Sequence, residues 1–577
     1  MKHLFSIRFL ILTVLLIGSL QTALGGNGIT TVDGVKYIVY FTGEKYDAIA
    51  DSAYVYYNSG VSGDVNIASS ATYEYKWSEI VGYDSSGKPI YETIARYLTA
   101  PVIGIIDSNG SESNPQWAFK NCTNLLSVSI PNTVKHIGDK AFYGCSSLTT
   151  VILGNSVTTI GSYAFNYCGS LIDINLPNSV EVIGSHAFSC CYSLVDINIP
   201  NSVKVIGSSA FLQCSALEGA LIIPNSVTEI GSRAFQDCSS LSSLVLGNSV
   251  RTIGSLAFLF CTGFSGTLTI PNSVVSIESG AFKGCSGLSG ALIIPNSVTF
   301  IGGEAFNGCA GITSVILPNS ITTIESFIFR DCTNLENVVI PNSVKTIESY
   351  AFKGCSNLLS IDIPNSVISI GYEAFSGCSS VGRIRIGYSV TSIGSGAFNG
   401  SSLTELIWDA KNCSSNEGMG TSHIETVSIG PSVEVLPKSF LYGSKITEIT
   451  IPNSVTTIGD YAFYNCSNVA NITCLATTPP LAQSNSFSNY SVTLNVPISS
   501  LEAYQTTAPW SNFTNIVGIN EPGDVNGDGG INISDVTSLI DLLLSGGETS
   551  AGADVNGDGQ VNISDVTALI DRLLSGN

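Results

Sequence analysis

Two acidic loops near the C terminus carry oxygen-bearing side chains at a spacing that suits a hard cation. They read "DVNGDGGINISD" from residue 524 and "DVNGDGQVNISD" from residue 554. Calcium takes about six to eight oxygen ligands, which a loop of this length supplies from positions 1, 3, 5, 7, 9 and 12. The spacing predicts two Ca²⁺ ions, held by Asp524, Asn526, Asp528, the Gly530 carbonyl, Asn532 and Asp535 and by Asp554, Asn556, Asp558, the Gln560 carbonyl, Asn562 and Asp565.

The alternative for these loops is a pair of turns that are merely rich in Asp and Asn. Two complete ligand sets in the same register favour calcium, and Gly529 and Gly559 at position 6 permit the sharp loop turn. Residues 522–577 contain nine acids and one base, Arg572, so the metal-free loops should repel their own carboxylates. We therefore expect metal binding to supply much of the folding free energy of this segment.

An amphipathic helix is predicted after each loop, because apolar residues follow an i, i+3, i+4, i+7 spacing. These residues are Val536, Leu539, Ile540, Leu543 and Leu544, and then Val566, Leu569, Ile570, Leu573 and Leu574. No helix is predicted before the first loop, and Asp replaces the Glu that usually closes an EF-hand loop. The duplicated loop and helix of residues 522–577 instead resemble a type I dockerin.

The dockerin resemblance implies a partner, a cohesin module on a scaffold or cell surface. It also implies that loop positions 10 and 11 and helix positions 17 and 18 select that partner. Here those residues are Ile533, Ser534, Ile540, Asp541, Ile563, Ser564, Ile570 and Asp571. They are Ile-Ser and Ile-Asp pairs, where the family often has a hydroxyl pair and a basic pair. The near-identity of the two halves implies docking in either of two orientations.

Most of the remaining chain consists of one repeated sequence motif. The Phe of an "AF" unit recurs every 23 or 24 residues from residue 119 to residue 398, and again at 440 and 463. A period of this size predicts a solenoid, in which each coil buries its apolar face against its neighbours. In each unit, "LxxIxI" predicts a short strand, "PNS" a turn, and "VxxIGxxAFxxC" the return. A recurring Asn in the turn (Asn178, Asn201, Asn225 and Asn248) is predicted to bond backbone between adjacent coils.

This text resembles the leucine-rich repeats of BspA-like bacterial surface proteins over about residues 116–475. The resemblance implies a curved solenoid with parallel strands on one face, a role in adhesion or protein binding, and no catalytic centre. The predicted fold is thus a leucine-rich-repeat solenoid with terminal caps, followed by a small α-helical calcium-binding dockerin domain. The predicted domains are a signal peptide (1–25), an N-terminal capping region (26–115), the repeats (116–475), a C-terminal cap (476–520) and the dockerin (522–577).

Thirteen of the sixteen cysteines stand three residues after a repeated Phe. A residue that recurs at one repeat position forms a stacked column, and Cys packs in it as a small hydrophobe. We therefore interpret the cysteines as buried thiols in preference to disulfides, for which parallel side-chain directions give poor geometry.

One outward-facing column of the predicted strands becomes apolar in the middle of the solenoid. We call its six members the strand-face strip: Ile222, Val245, Thr269, Ile293, Ile316 and Val339. At about 4.8 Å per strand the strip would be roughly 25 Å long. Contiguous exposed apolar residues often mark a binding site, although β-branched residues also simply suit strands. The strip is our candidate ligand surface.

Charge and composition exclude several classes of function. The net charge is −21, and cleavage of the signal peptide removes two bases, Lys2 and Arg8, to leave −23. Such a chain repels phosphates, so no nucleic acid partner is predicted, and no membrane insertion is predicted after cleavage. The remaining histidines, His136, His186 and His423, are isolated, so no catalytic residues and no enzyme activity are predicted.

Together these features predict a secreted, extracellular or cell-surface-attached bacterial protein that binds a protein ligand and is attached through its dockerin. The alternative is an accessory carbohydrate-binding component of a polysaccharide-degrading complex. A glycan platform usually presents aromatic side chains, whereas the strand-face strip is aliphatic, which favours the protein ligand.

Overall fold

The computed structural model describes residues 26–32, 35–42, 49–55, 63–66, 70–83, 89–105, 118–416, 419–520, 522–527, 530–546 and 552–575. The predicted signal peptide, residues 1–25, lies outside the described residues. The chain divides into two compact units, residues 1–289 and 290–577. In each unit, parallel strands of successive turns stack into a β-solenoid, which confirms the predicted fold class.

The first unit contains an N-terminal group of strands and two ladders of short strands. The N-terminal strands are Gly26–Val32, Val35–Thr42, Ile49–Val55, Gly63–Asn66, Ser70–Tyr83 and Pro89–Ile105. The first ladder falls into two sheets. One joins Leu125–Ser129, Thr150–Ile152 and Asp173–Ile174 to the N-terminal strand Gly63–Asn66, and the other pairs Gly219–Ile222 with Leu241–Val245. The second contains His136–Ile137, Thr159–Ile160, Val182–Ile183, Val205–Ile206, Glu229–Ile230, Thr252–Ile253 and Ser276–Ile277.

The turns of the first unit stack in register because each repeat presents the same residue at the same place. Ile160 pairs with Ile183 and Ile183 with Ile206 in parallel register. One of the predicted turn asparagines, Asn225, bonds the next coil, since the backbone N–H of Asn248 donates to Asn225 Oδ1 at 2.7 Å. The repeat text therefore sets both the inward face and the register of each coil.

Phenylalanine and cysteine form two columns in the core. Phe165 and Phe188 stack with ring centroids 5.3 Å apart and an interplanar angle of 4°. Every Cys of the chain is buried. The Cys191 thiol donates to the Phe165 carbonyl at 3.2 Å, and the Cys214 thiol to the Phe188 carbonyl at 3.1 Å. A small apolar side chain with a weak donor thus fills the position and bonds a buried carbonyl.

The "AF" corner holds two residues per turn in the left-handed backbone region. They are the residue before the Ala and the second residue after the Phe. In the first unit these include Tyr163, Tyr167, His186, Cys190, Ser209, Gln213, Arg233, Asp237, Leu256 and Phe260. Other turns carry glycine there, such as Gly144 and Gly280, for which left-handed backbone has no steric cost.

The second unit continues with the same kind of turn. Its longer strands are Ser289–Ile293, which begins in the first unit, Gly311–Ile316, Asn337–Val339, Ser360–Asp362, Arg383–Ile386, Glu405–Trp408, Thr426–Ile429, Glu448–Ile451, Asn471–Cys474, Thr493–Pro497 and Asn515–Ile519. Its two-residue strands are Phe300–Ile301, Thr323–Ile324, Thr346–Ile347, Ser369–Ile370, Ser392–Ile393, Ser415–Asn416, Val435–Leu436 and Thr457–Ile458. Short helices are Thr421–His423, Ile498–Ser500, Leu501–Thr506 and Trp510–Asn512.

Large aromatic side chains cover the last turns of the repeats. Tyr504 and Trp510 are fully buried. The Trp510 indole N–H donates to the Pro480 carbonyl at 2.8 Å, and the Tyr504 hydroxyl donates to the Ala476 carbonyl at 2.7 Å. These contacts suit an end cap, although the predicted boundaries of the cap, 476–520, stay a prediction.

The tail ends in two α-helices, Ile533–Ser545 and Ile563–Ser575, one after each acidic loop. Val536, Leu539, Ala553, Val566 and Leu569 form a small buried cluster between them. Within the part of the chain that the structure describes, no helix has the length and apolar character needed to cross a bilayer.

Candidate functional site

Each tail helix begins inside its acidic loop, at position 10 of the twelve. Asn532 is the N-cap of the first helix and accepts a hydrogen bond from the Ser534 N–H. The Asp535 carboxylate reaches back to the Asn532 N–H at 2.9 Å, which completes a capping box. Asp near a helix N terminus is also favourable to the helix dipole. The loop and the helix therefore share residues and form one structural element.

The carboxylate at loop position 12 is fully buried in both halves of the tail. One oxygen of Asp535 accepts from the N–H groups of Val525 and Asn526, at 2.8 and 3.1 Å. Asp565 makes the equivalent bonds in the second loop, and its other oxygen accepts from Asn562 N–H at 2.9 Å. The two halves thus have the same local geometry.

The other predicted ligands of the second loop curl around its backbone. Asp554 accepts from the N–H groups of Gly557 and Gly559, each at 2.9 Å. Asp558 accepts from the Gln560 N–H at 2.8 Å, and Asn562 from the Ser564 N–H at 2.8 Å.

The amide of Asn556 donates to the Ser564 hydroxyl at 2.9 Å, as the amide of Asn526 does to Ser534 in the first loop. Asp524 is buried, and Gly530 offers its carbonyl to the Asn532 amide at 3.1 Å. Asp528 and Gly529 lie outside the described residues.

The residue types fit a calcium ion. Every predicted ligand atom is an oxygen, and buried carboxylates are costly unless a cation or several donors compensate them. Gly559 has a φ of 82°, and a side chain there is disfavoured by the backbone alone. Among the described residues, no three Asp, Glu, His or Cys side chains already lie together as a metal cluster. The metal ligands therefore stay a prediction, since the described carboxylates bond to loop N–H groups.

The predicted cohesin-contacting residues all lie on the surface. Ile533 and Ile563 are 73% and 72% exposed, Ile540 and Ile570 are each 39% exposed, and Ser534, Asp541, Ser564 and Asp571 are exposed as well. The two halves match in exposure as they match in hydrogen bonding. Two equivalent apolar surfaces result.

The core-facing side of the helices differs from the predicted pattern. Val536 and Leu539 are buried, but Leu544 and Leu574 are each 82% exposed. Leu542 packs on the core instead, although it was not among the predicted positions. Two helices and two loops are too small a unit to bury both apolar stripes completely.

Comparison with known families decides what the repeats and the tail are. The family model described as "BspA type Leucine rich repeat region" matches residues 108–218, 219–313, 299–419 and 411–516. The chain belongs to the BspA-type leucine-rich repeat family. The "Dockerin type I domain" model matches residues 522–574, so the tail is a type I dockerin, a domain type that binds calcium. Both are non-catalytic module types that are typical of secreted or cell-surface bacterial proteins.

Several solved structures are similar to this chain. A leucine-rich repeat protein from Bacteroides ovatus is 27% identical, with 66% of this chain and 94% of that chain covered and a TM-score of 0.45. The pneumococcal vaccine antigen PcpA is 18% identical, with 85% and 98% covered and a TM-score of 0.39. A leucine rich cell surface protein from Faecalibacterium prausnitzii is 22% identical, with 87% and 97% covered and a TM-score of 0.30. No curated protein matches the chain.

The strand-face strip of the BspA-type repeats is exposed in both units. In the first unit Ile222 and Val245 are paired neighbours, 60% and 53% exposed, and Thr269 is also exposed. In the second unit Ile293, Ile316 and Val339 are 57%, 48% and 61% exposed. The predicted outward direction of these side chains is correct, while their role in binding stays a prediction.

Sequence reasoning missed a group of side chains on the return side of the first unit. His186 is not isolated, because its ring stacks on Tyr163 with centroids 4.5 Å apart. Burial and the neighbouring Arg233 lower the pKa of His186, so the imidazole is neutral at physiological pH. These residues occupy variable repeat positions, where the period carries no signal.

Proposed function

We propose that this is a secreted, non-catalytic bacterial protein whose repeats present a binding surface and whose dockerin attaches it to a cohesin on a scaffold or cell surface. The proposal rests on one observation. Ile533 and Ile563, at the starts of the two tail helices, are both exposed, while other residues of the same helices pack into one shared core. Exposed apolar side chains on so small a domain mark an interaction surface. Their duplication supports docking in two orientations.

Calcium is proposed to control this attachment. The twelve predicted ligands would hold two Ca²⁺ ions, whose charge would compensate the loop carboxylates. Asp535 and Asp565 already tie the loops to their helices through backbone N–H groups. The loop conformation and the position of Ile533 and Ile563 are therefore coupled, and ion binding would order the partner surface together with the loop.

A protein is the proposed ligand of the strand-face strip. Ile293, Ile316 and Val339 on one sheet give an aliphatic surface, which suits the apolar centre of a protein interface. The glycan-binding alternative would need aromatic side chains in this strip, and it has none. The proposed non-catalytic role is supported by the wide separation of the histidines along the repeats, and purified mature protein should hydrolyse no polysaccharide.

Calcium-dependent affinity capture tests the attachment. The mature chain, immobilised through the repeats, is incubated with proteins of its native culture in calcium or in chelator. We expect a cohesin-bearing protein to be retained in calcium and released by chelator. A double variant, Ile533→Asp with Ile563→Asp, should lose capture at unchanged helical content. Retention by that variant would contradict the proposed surface.

Charge substitution in the strip tests the ligand surface. Ile293→Asp with Ile316→Asp should abolish capture of the repeat ligand, because two buried charges would face an apolar partner. Ile152→Asp is the matched control, since Ile152 is equally exposed, at 60%, but lies outside the strip. Unchanged ligand capture by the double variant, with the fold intact, would rule out the strip.

A further inference from the structure

Successive turns of the first unit line a groove on the return side of the solenoid. A cavity of 570 Å³ is lined by side chains of turns from Tyr143 to Leu259. A second cavity of 360 Å³ extends to Phe260. Both cavities border Gln213, so together they form one groove. Its size and its few convergent polar groups are those of a ligand site.

A buried amide with an unused acceptor lies in the wall of this groove. Asn166 is 3% exposed and lines the larger cavity. Its Nδ2 donates to the Ser189 carbonyl at 3.1 Å, which fixes the orientation of the amide. Its Oδ1 accepts no hydrogen bond from the residues that the structure describes. A buried acceptor without a partner is costly, and a donor on a bound ligand would satisfy it.

Two further amides of the groove are also half used. Gln213 Oε1 accepts from the Cys190 thiol at 3.4 Å, which leaves the Gln213 NH₂ group to donate. Gln236 Nε2 donates to Asp237 Oδ2 at 3.0 Å, which leaves Gln236 Oε1 to accept. With Asn166, the amides offer an acceptor, a donor and an acceptor in chain order.

This order matches a peptide backbone, in which N–H and C=O groups alternate. Three turns separate Asn166 from Gln236, which is roughly 14 Å at a strand spacing of about 4.8 Å. About four or five residues of extended chain span that distance.

The groove also has one cationic side chain. Among the described residues that line the two cavities, Arg233 alone carries a positive charge, since the imidazole of His186 is neutral. Arg233 is exposed and makes no salt bridge within the described part of the chain. A guanidinium binds a carboxylate through two parallel N–H groups. A ligand that is acidic at this point therefore complements the groove.

The aromatic side chains of the groove favour a peptide over a sugar. The Tyr163 ring lies between His186, whose ring centroid is 4.5 Å away, and Lys140, whose Nζ is 5.6 Å away. Tyr167 meets Tyr143 at an angle of 76°. A sugar packs its C–H face on a free aromatic face, whereas both faces of Tyr163 are covered. Ring edges suit aliphatic side chains and carbonyl oxygens.

We propose that this groove binds an extended peptide segment of a partner protein, through its backbone at the three amides and through an Asp or Glu side chain at Arg233. Apolar residues beside that acid would contact three partly buried leucines that line the larger cavity, Leu212, Leu256 and Leu259. The site is separate from the strand-face strip, and it does not depend on the proposed attachment.

Selection from phage-displayed random octapeptides tests this proposal. The mature full-length chain in calcium is the bait, after removal of phage that bind the Arg233→Gln variant. We expect the enriched octapeptides to share an Asp or a Glu. A synthetic copy of one of them, labelled with a fluorophore, then gives dissociation constants by anisotropy.

The variants should separate the contribution of charge from that of the amides. Arg233→Gln should weaken peptide binding by at least about tenfold, because the carboxylate loses its charged donor. Gln213→Ala should weaken it about fivefold, as for one lost hydrogen bond. Arg251→Gln is the matched control, since Arg251 is also exposed but lines neither cavity, and should change binding by less than about twofold. Amidation of the acid in the peptide should weaken binding to the parent chain and leave binding to Arg233→Gln unchanged.

Three outcomes would overturn the proposal. They are no enrichment of acidic octapeptides, an equal loss of binding in Arg251→Gln, and Arg233-dependent binding of a galacturonic acid hexamer in place of any peptide. The last result would assign the groove to an acidic glycan. Circular dichroism of each variant separates lost binding from lost folding.

Discussion

The repeated turns and the dockerin bury opposite kinds of side chain. A turn buries Phe188, Cys191 and Ile206, all uncharged, whereas the dockerin buries the carboxylates of Asp535 and Asp565 beside a five-residue apolar cluster. Neighbouring turns supply the apolar contacts that stabilise the first kind of core. The second needs donors or a cation around each carboxylate. Calcium should therefore leave the stability of the solenoid unchanged, whereas it should determine whether the tail is folded.

Removal of calcium by a chelator should produce the largest difference in stability between the repeats and the dockerin. Calcium at a thousandfold excess over its dissociation constant would stabilise the dockerin by about 4 kcal/mol, all of which chelator removes. Hydrogen exchange of the mature chain should show loss of protection in peptides from 522–574 and none in peptides from 118–289. Equal protection of the tail with and without chelator would contradict a metal-dependent fold.

A cavity in the phenylalanine column should destabilise the repeats and leave the dockerin unchanged. Phe188→Ala removes a fully buried ring that stacks on Phe165 and Phe211, and should cost about 3–5 kcal/mol. Denaturant unfolding of the repeats measures the loss, while calcium binding by the tail should be unchanged. Tyr192→Ala, at an exposed ring nearby, is the control and should cost less than about 1 kcal/mol. A similar loss in both variants would argue against turn-to-turn stacking as the source of stability.

Replacement of one carboxylate oxygen at loop position 12 should destabilise the dockerin less than removal of the calcium ion. Asp535→Asn replaces a carboxylate oxygen that accepts backbone N–H with an amide donor, and should cost about 1–3 kcal/mol of dockerin stability. Asp541→Asn neutralises an exposed carboxylate of the same helix and is the control. Thermal unfolding of the tail in saturating calcium distinguishes the two. Identical midpoints would mean that the buried carboxylate does not hold the loop.

The smallest expected difference concerns pH. Burial raises the pKa of Cys191, Cys214 and Cys261 well above the ordinary value of 9.0. Because the folded-state pKa is raised, the stabilising contribution is complete below 9.0 and declines as the pH rises above it. Alkylation at pH 8 should label no Cys of the native repeats and every Cys after denaturation. Rapid native labelling would show that the thiol column opens.

The sequence predicted the features that recur in every repeat, and it missed contacts between residues at variable repeat positions. Ile174 and Leu176 are two residues apart and are buried as predicted, because alternate side chains of an extended segment point to the same face. Leu544 and Leu574 share the spacing of core residues but are exposed, since the size of the opposing surface is not encoded in the helix itself. The contact between Tyr163 and His186 escaped detection because the two residues come from different turns. Only stacking brings them together.

Hydrogen bonds between turns have a fixed direction at each repeat position. The Phe142 and Phe165 N–H groups donate to the Ala164 and Ala187 carbonyls of the next coil. The Gly161 and Gly184 N–H groups donate to the Ile137 and Ile160 carbonyls of the preceding coil. Each coil thus presents to its successor the same donors and acceptors that its predecessor presented to it. A stretch of one period can therefore be duplicated or deleted without leaving mismatched edges, and the array changes length by about 4.8 Å. Recombination between near-identical repeats is a simple genetic route to variants with a longer or shorter display.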